Sequence, residues 1–156
     1  MNNDNFFKPI EDNVEIWIDR DGCAPELFNI DGNLVVEIAK TAINDCITSS
    51  VTGDVTGFIT TYKFGDAATP PDANPSDTAN SDPSAIVKSF VADDIARNGT
   101  ATVLTLTLEK DEGTSTNYTE ATLHTADDRL FARILLNPTL PKDPTIRIRI
   151  NWTLGY

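Results

Sequence analysis

Any chemistry in this chain would have to come from a short inventory. His124 is its single histidine, and one histidine cannot build an imidazole metal cluster alone. A nucleophile relay would need Ser or Cys and an acid brought to that histidine, and no G-x-S-x-G elbow occurs. The expected role of His124 is therefore structural, in the middle of a hairpin. Carboxylates are abundant, 24 Asp and Glu in 156 residues, yet no spacing singles out a pair for glycoside hydrolysis. Asp66, Asp72, Asp77 and Asp82 are neighbours in sequence but lack the D-x-D-x-D-G order that wraps calcium. No phosphate loop, dinucleotide fingerprint or zinc spacing is present. The expectation is a non-enzymatic chain with no catalytic residue, no metal and no cofactor.

The remaining residues of interest suit contact rather than reaction. Arg147 and Arg149 share one face of the closing stretch TIRIRINWTLGY, 145–156, and Arg133 is expected nearby. On an acidic chain the plain reading is cross-strand pairing with Asp or Glu. The sharper reading is a subunit contact, where Arg is enriched. Trp17 lies on the otherwise polar face of NVEIWID, 13–19, so either the chain's own arm or a neighbouring molecule covers its indole. Phe6 and Phe7 sit in that arm. Phe6, Phe7, Trp17, Arg147 and Arg149 are the candidate subunit contacts.

The elements that must position these residues are mostly strands. Val14, Ile16 and Ile18 alternate with Glu15, Trp17 and Asp19, the period of a half-buried strand. Val35, Ala39, Ala42, Ile43 and Cys46 recur at spacings of three and four, which predicts an amphipathic helix over 33–47, capped by Asp31 or Asn33. Further strands are expected at 55–65, 85–93, 101–110, 118–124 and 129–136, the last two forming a hairpin across TADD. The prolines of NPTLPKDP, 137–144, should keep it out of regular structure. The closing strand alternates without a break and, left on an open edge, would invite aggregation, so it should be paired on both sides.

About seven strands and one helix make an antiparallel β-sandwich the natural packing, with the chain reading as mainly β. Residues 1–13 are expected as an irregular N-terminal arm and 14–156 as a single sandwich domain. The segment 66–84, rich in Pro, Asp, Ala, Asn, Ser and Thr, is expected as a long exposed loop.

Composition limits the partners. A formal charge of −12 and the absence of Lys/Arg clusters argue against nucleic acid and anionic membranes. The apolar runs are too short to cross a bilayer, and the N-terminus lacks the basic and apolar regions of a secretion signal. The expected place of synthesis is the cytoplasm. Cys23 and Cys46 are too few for a disulfide scaffold, and Cys46 suits a small buried position on the helix. Whether the two are bridged stays open.

The order of pieces resembles a group of small tailed-bacteriophage virion proteins found as tail, baseplate or fibre-attachment components. That resemblance is carried by Phe64-Gly65 before a variable Thr/Ala/Pro/Asp-rich loop, by Glu120-Ala121 and Leu130-Phe131-Ala132-Arg133 in a hairpin, and by Trp152-Thr153 in a terminal strand. The hairpin departs from the group's pattern, with Thr122 replacing a Gly and His124 replacing an aromatic. The resemblance implies a non-enzymatic part of a virion, made in the host cytoplasm. It implies other virion proteins as partners and a symmetric homo-oligomer in the particle. A capsid decoration or head-fibre protein is the alternative within that class. A carbohydrate-binding host-recognition module, using Trp17, Tyr118 and the aromatics at 58–64, is the alternative outside it.

Overall fold

The computed structural model describes residues 11–29, 33–35, 39, 41–43, 58–67, 77, 79, 80, 82–114 and 116–155. Ten strands form two antiparallel five-stranded sheets. They are β1 (Glu11–Arg20), β2 (Glu26–Asn29), β3 (Asn33–Val35), β4 (Ile59–Gly65), β5 (Ile86–Ser89), β6 (Ile95–Asn98), β7 (Ala101–Leu108), β8 (Thr116–Thr125), β9 (Leu130–Lys142) and β10 (Ile146–Gly155). Sheet A has the order β2-β1-β10-β7-β6 and sheet B the order β3-β9-β8-β4-β5.

The alternation in the sequence is the alternation of burial. In β10, Ile146, Ile148, Ile150, Trp152 and Leu154 are buried, and the residues between them are half-exposed. Val14, Ile16 and Ile18 of β1 and Leu104, Leu106 and Leu108 of β7 join them on the inner face. Sheet B answers with Tyr62, Phe64, Ala121, Leu123, Ala132 and Ile134, which the strand register aligns across β4, β8 and β9. Such interleaved apolar faces are what hold a sandwich together. As expected, β10 lies inside its sheet, paired to β1 along Glu11–Arg20 and to β7 along Ala101–Leu108.

Several boundaries differ from expectation. The arm is shorter, because β1 already begins at Glu11 opposite Gly155. The predicted helix does not start at residue 33, since Asn33–Val35 pairs with β9. Residues 39 and 41–43 are helical, with Ala39 and Ala42 in the core, while Cys46 lies outside the described residues. Three residues of strand in a chain that must cross from one edge of sheet B to β4 leave no sequence period long enough to read.

β9 also continues through Pro138 and Pro141. Its register explains why: Leu135 faces Glu120 and Leu140 faces Tyr118, so residues 136–139 bulge against Thr119 alone. A bulge and an edge tolerate a missing N–H. The edge of β7 beyond the end of β6 is served by a side chain. The Tyr62 hydroxyl donates to the Thr107 carbonyl (3.1 Å) and accepts from its amide (3.2 Å), tying sheet B to sheet A.

Candidate functional site

The outer face of sheet A holds the predicted contact residues that are described; Phe6 and Phe7 lie outside the described residues. β1 and β10 run side by side with Trp17 opposite Arg149 and Asp19 opposite Arg147. Arg149 grips Asp19 with two bonds, Nε to Oδ2 at 2.9 Å and Nη2 to Oδ1 at 3.0 Å. Arg147 donates Nε to Glu109 at 2.8 Å and places Nη1 3.9 Å from Asp19. The plain reading of these arginines therefore holds within the chain: they neutralise carboxylates on neighbouring strands. Trp17 is half-buried, its indole N–H 3.3 Å from Glu15, with Leu27 of β2 opposite it. Leu27 itself is exposed.

Arg133 is not near them. It lies on the outer face of sheet B, where three adjacent strands present a buried polar layer that includes Glu120, Thr122 and Arg133. Arg133 donates Nε to Glu120 at 2.7 Å and Nη1 to Asp77 at 2.7 Å, and the side chains of Arg133 and Glu120 are 1% and 0% exposed. Glu120 faces Gly65 across β4 and β8. A Cβ at Gly65 would come within 2.9 Å of Glu120 and 2.7 Å of the Asn80 side chain, so the approach needs glycine. Asn80 donates to the Thr122 hydroxyl at 3.0 Å. Asp82 caps the same strap, accepting from the Asp66 amide at 3.0 Å and the Ser84 amide at 2.8 Å. The two amide bonds hold the Asp82 carboxyl below its ordinary pKa against the opposing cost of burial.

In the segment expected as a long exposed loop, Asp66, Ala79, Pro83 and Ser84 are exposed, while Asp77 and Asn80 are half-buried and Asp82 is buried. Asp77, Asn80 and Asp82 bind the sheet through side chains, which composition cannot reveal.

The same layer brings His124 into an ordered chain. Its Nε2 lies 3.0 Å from the Thr122 hydroxyl, and its Nδ1 lies 3.2 Å from the Asp128 carbonyl and 3.1 Å from its carboxylate. Acceptors on the Nδ1 side assign the proton there, leaving Nε2 to accept from Thr122. Burial lowers the His124 pKa, with Lys63 adding to the effect and the Asp128 contacts opposing it. Lys63 reaches the same Asp128 carboxylate at 2.7 Å. Asp128 adopts φ 65° to close the hairpin, a conformation that Asp tolerates.

Hydroxyl, imidazole and carboxylate stand here in the order used for nucleophilic catalysis. Thr122 is 0% exposed, however, and its hydroxyl is already engaged by Asn80 and His124, so no substrate reaches it in this arrangement. Sequence reading missed the trio although its signal is present: residues 122 and 124 share a strand face, and residue 128 returns across the turn.

The aromatics weighed for sugar stacking are mostly core. Phe64 and Tyr118 meet edge to face at 5.7 Å, and Tyr62 packs on Phe64 at 6.0 Å. Burial pushes the Tyr118 hydroxyl pKa up to about 12. Cys23 is a free, exposed thiol. Among the described residues, no group of three or more His, Cys, Asp or Glu could hold a metal ion, and no helix is long and apolar enough to cross a membrane. Comparisons with protein-family models, with curated proteins and with solved structures found no match for this chain.

Proposed function

We propose that this chain is a non-enzymatic structural component of a tailed-phage virion, at the tail, baseplate or fibre junction, assembling through subunit contacts. One observation carries the reading. The short motifs behind the resemblance are far apart in sequence, yet Gly65, Glu120 and Arg133 converge on one buried joint. Phe64 and Ala121 lie opposite each other beside it. Residues spent on clamping a strap to a sheet suit a part whose task is to keep its shape under load. The buried aromatics weaken the carbohydrate-module alternative, for which Trp17 and the exposed Phe58 are what is left.

Immunogold labelling tests the proposal, using antibody against the purified chain on particles of the phage that encodes it. Label at the tail tip, baseplate or fibre junction is expected. Label on the head selects the capsid-decoration alternative, and unlabelled particles overturn the virion role.

A further inference from the structure

Four hydrogen bonds run in one direction from the strap, across β8, to the turn that joins β8 to β9. The order of their protons is set at the first, because a backbone amide can only donate. The Asp82 amide donates to Asn80 Oδ1 at 2.9 Å, which fixes the orientation of that carboxamide. Asn80 Nδ2 therefore donates to the Thr122 hydroxyl oxygen at 3.0 Å. The single hydroxyl proton is left for His124 Nε2, also at 3.0 Å, and the imidazole proton sits on Nδ1, towards the Asp128 carbonyl at 3.2 Å. Thr122 and His124 are 0% and 1% exposed, so each polar atom depends on its protein partner. Opposite Thr122 on the adjoining strands stand Lys63 of β4 and Arg133 of β9, whose cationic groups accept nothing. A neutral imidazole is thus a condition of docking Asn80 on the sheet.

We propose that Asn80, Thr122 and His124 form a proton-operated latch, which releases the strap from sheet B when the imidazole takes up a second proton. That proton lands on Nε2 and turns an acceptor into a donor facing the Thr122 hydroxyl. The hydroxyl can rotate to accept it, but its own hydrogen is then buried with no acceptor among the described residues, which carries the full cost of an unmade buried bond. Departure of Asn80 removes the conflict by letting water reach Thr122. The charged groups around the ring do not relieve it. Lys63 repels the new charge. Asp128 lies on the Nδ1 side, 3.1 Å away, and already serves Lys63 at 2.7 Å. Glu120, two residues along β8, is bonded to Arg133, which also holds Asp77. Asp127 and Arg129 in the turn pair with each other. The carboxylates at the foot of the strap cannot mimic the effect. Asp82 raises the neighbouring Asp66 carboxyl, so acid strengthens that contact, and Asp82 itself yields only below about pH 4.

The latch does not rest on the virion reading and can fail without it. Heteronuclear NMR of the full chain tests it. The His124 ring is followed through its nitrogen shifts, and the Asp82 amide through hydrogen exchange corrected for the intrinsic effect of pH. At pH 7 the ring should be neutral with its proton on Nδ1. As the pH falls from about 6.5 to about 5, protection of the Asp82 amide should fall by up to about tenfold per unit while the β10 amides stay protected. His124→Gln should remove that pH dependence. Asn80→Ala should leave the sheets folded and raise the His124 pKa towards its ordinary value, because coupling between docking and protonation is reciprocal. A ring protonated on Nε2 at pH 7, a His124 that stays neutral until the sheets unfold, or Asp82 protection that ignores the titration of the ring would each overturn the latch.

Discussion

Arg149–Asp19 and Arg133–Glu120 are both arginine–carboxylate pairs on the outer face of a sheet, and they differ in what lies over them. The first keeps 34% and 20% of its side-chain surface in water; the second keeps 1% and 0%. On sheet A the outward polar residues keep part of their surface in water, as an antiparallel sheet allows. On sheet B the strap through Asp77, Asn80 and Asp82 closes over the same kind of alternation and turns it into an interior. Identical side-chain chemistry therefore has different energetic weight in the two places. Water screens and competes for the open pair, whereas the covered carboxylate has only its protein partners.

The largest expected difference is at the covered pair. Arg133→Met should destabilise the fold by about 3–5 kcal/mol, because it removes the guanidinium bonded to the fully buried Glu120 carboxylate. Adding Glu120→Leu should recover most of that loss, and urea denaturation of both variants checks the pair. If the double variant is no more stable than the single, the covered charges do not act as a unit.

Gly65→Ala tests the strap itself. The added methyl group would meet Glu120 and Asn80 at 2.9 and 2.7 Å, and displacing them should cost about 1–3 kcal/mol, as overpacking does. Faster amide exchange at residues 77–84 should accompany it. Wild-type exchange there would mean that the strap does not depend on this approach.

A pH effect should follow from His124. Its folded pKa lies below the ordinary value of 6.5, so between the two the unfolded chain binds a proton that the native chain refuses. This part of the stability is complete above about pH 6.5 and is lost as the pH falls from there towards the folded pKa. The carboxylates held low by ion pairs and hydrogen bonds, Asp128 and Asp127 among them, act only in more acid solution, below about pH 4. Melting curves at pH 7 and 5.5 should therefore differ in the wild type and converge in His124→Gln. An unchanged difference in the variant would assign the effect elsewhere.

The smallest effect belongs to the open face. Arg149→Ala should cost no more than about 1 kcal/mol, shrinking further in 1 M salt, despite the bidentate geometry. A loss as large as that of Arg133→Met would mean that the outer face of sheet A is covered too.

Much of the fold was legible residue by residue. The period of two in β1, β7 and β10, and the TADD turn joining β8 to β9, are local facts of side-chain spacing. The short edge strands β2, β3 and β6 were not legible, because three or four residues carry no period. The pairing of Arg147 and Arg149 could be anticipated from acidic neighbours in the sequence. The position of Arg133 could not, since it depends on which sheet β9 joins.

The sequence by itself determined that this chain forms antiparallel strands with one apolar face each and that its last strand must be sheltered. Alternation of apolar and polar side chains forces both outcomes through the pleat of a strand. Only the tertiary structure decided that Glu120, Thr122, His124 and Arg133 are interior while Trp17, Arg147 and Arg149 are not. Both sets read as polar faces, and the difference is made by residues distant in the chain. A strap some forty residues away from Thr122 removes water from one face and leaves it on the other.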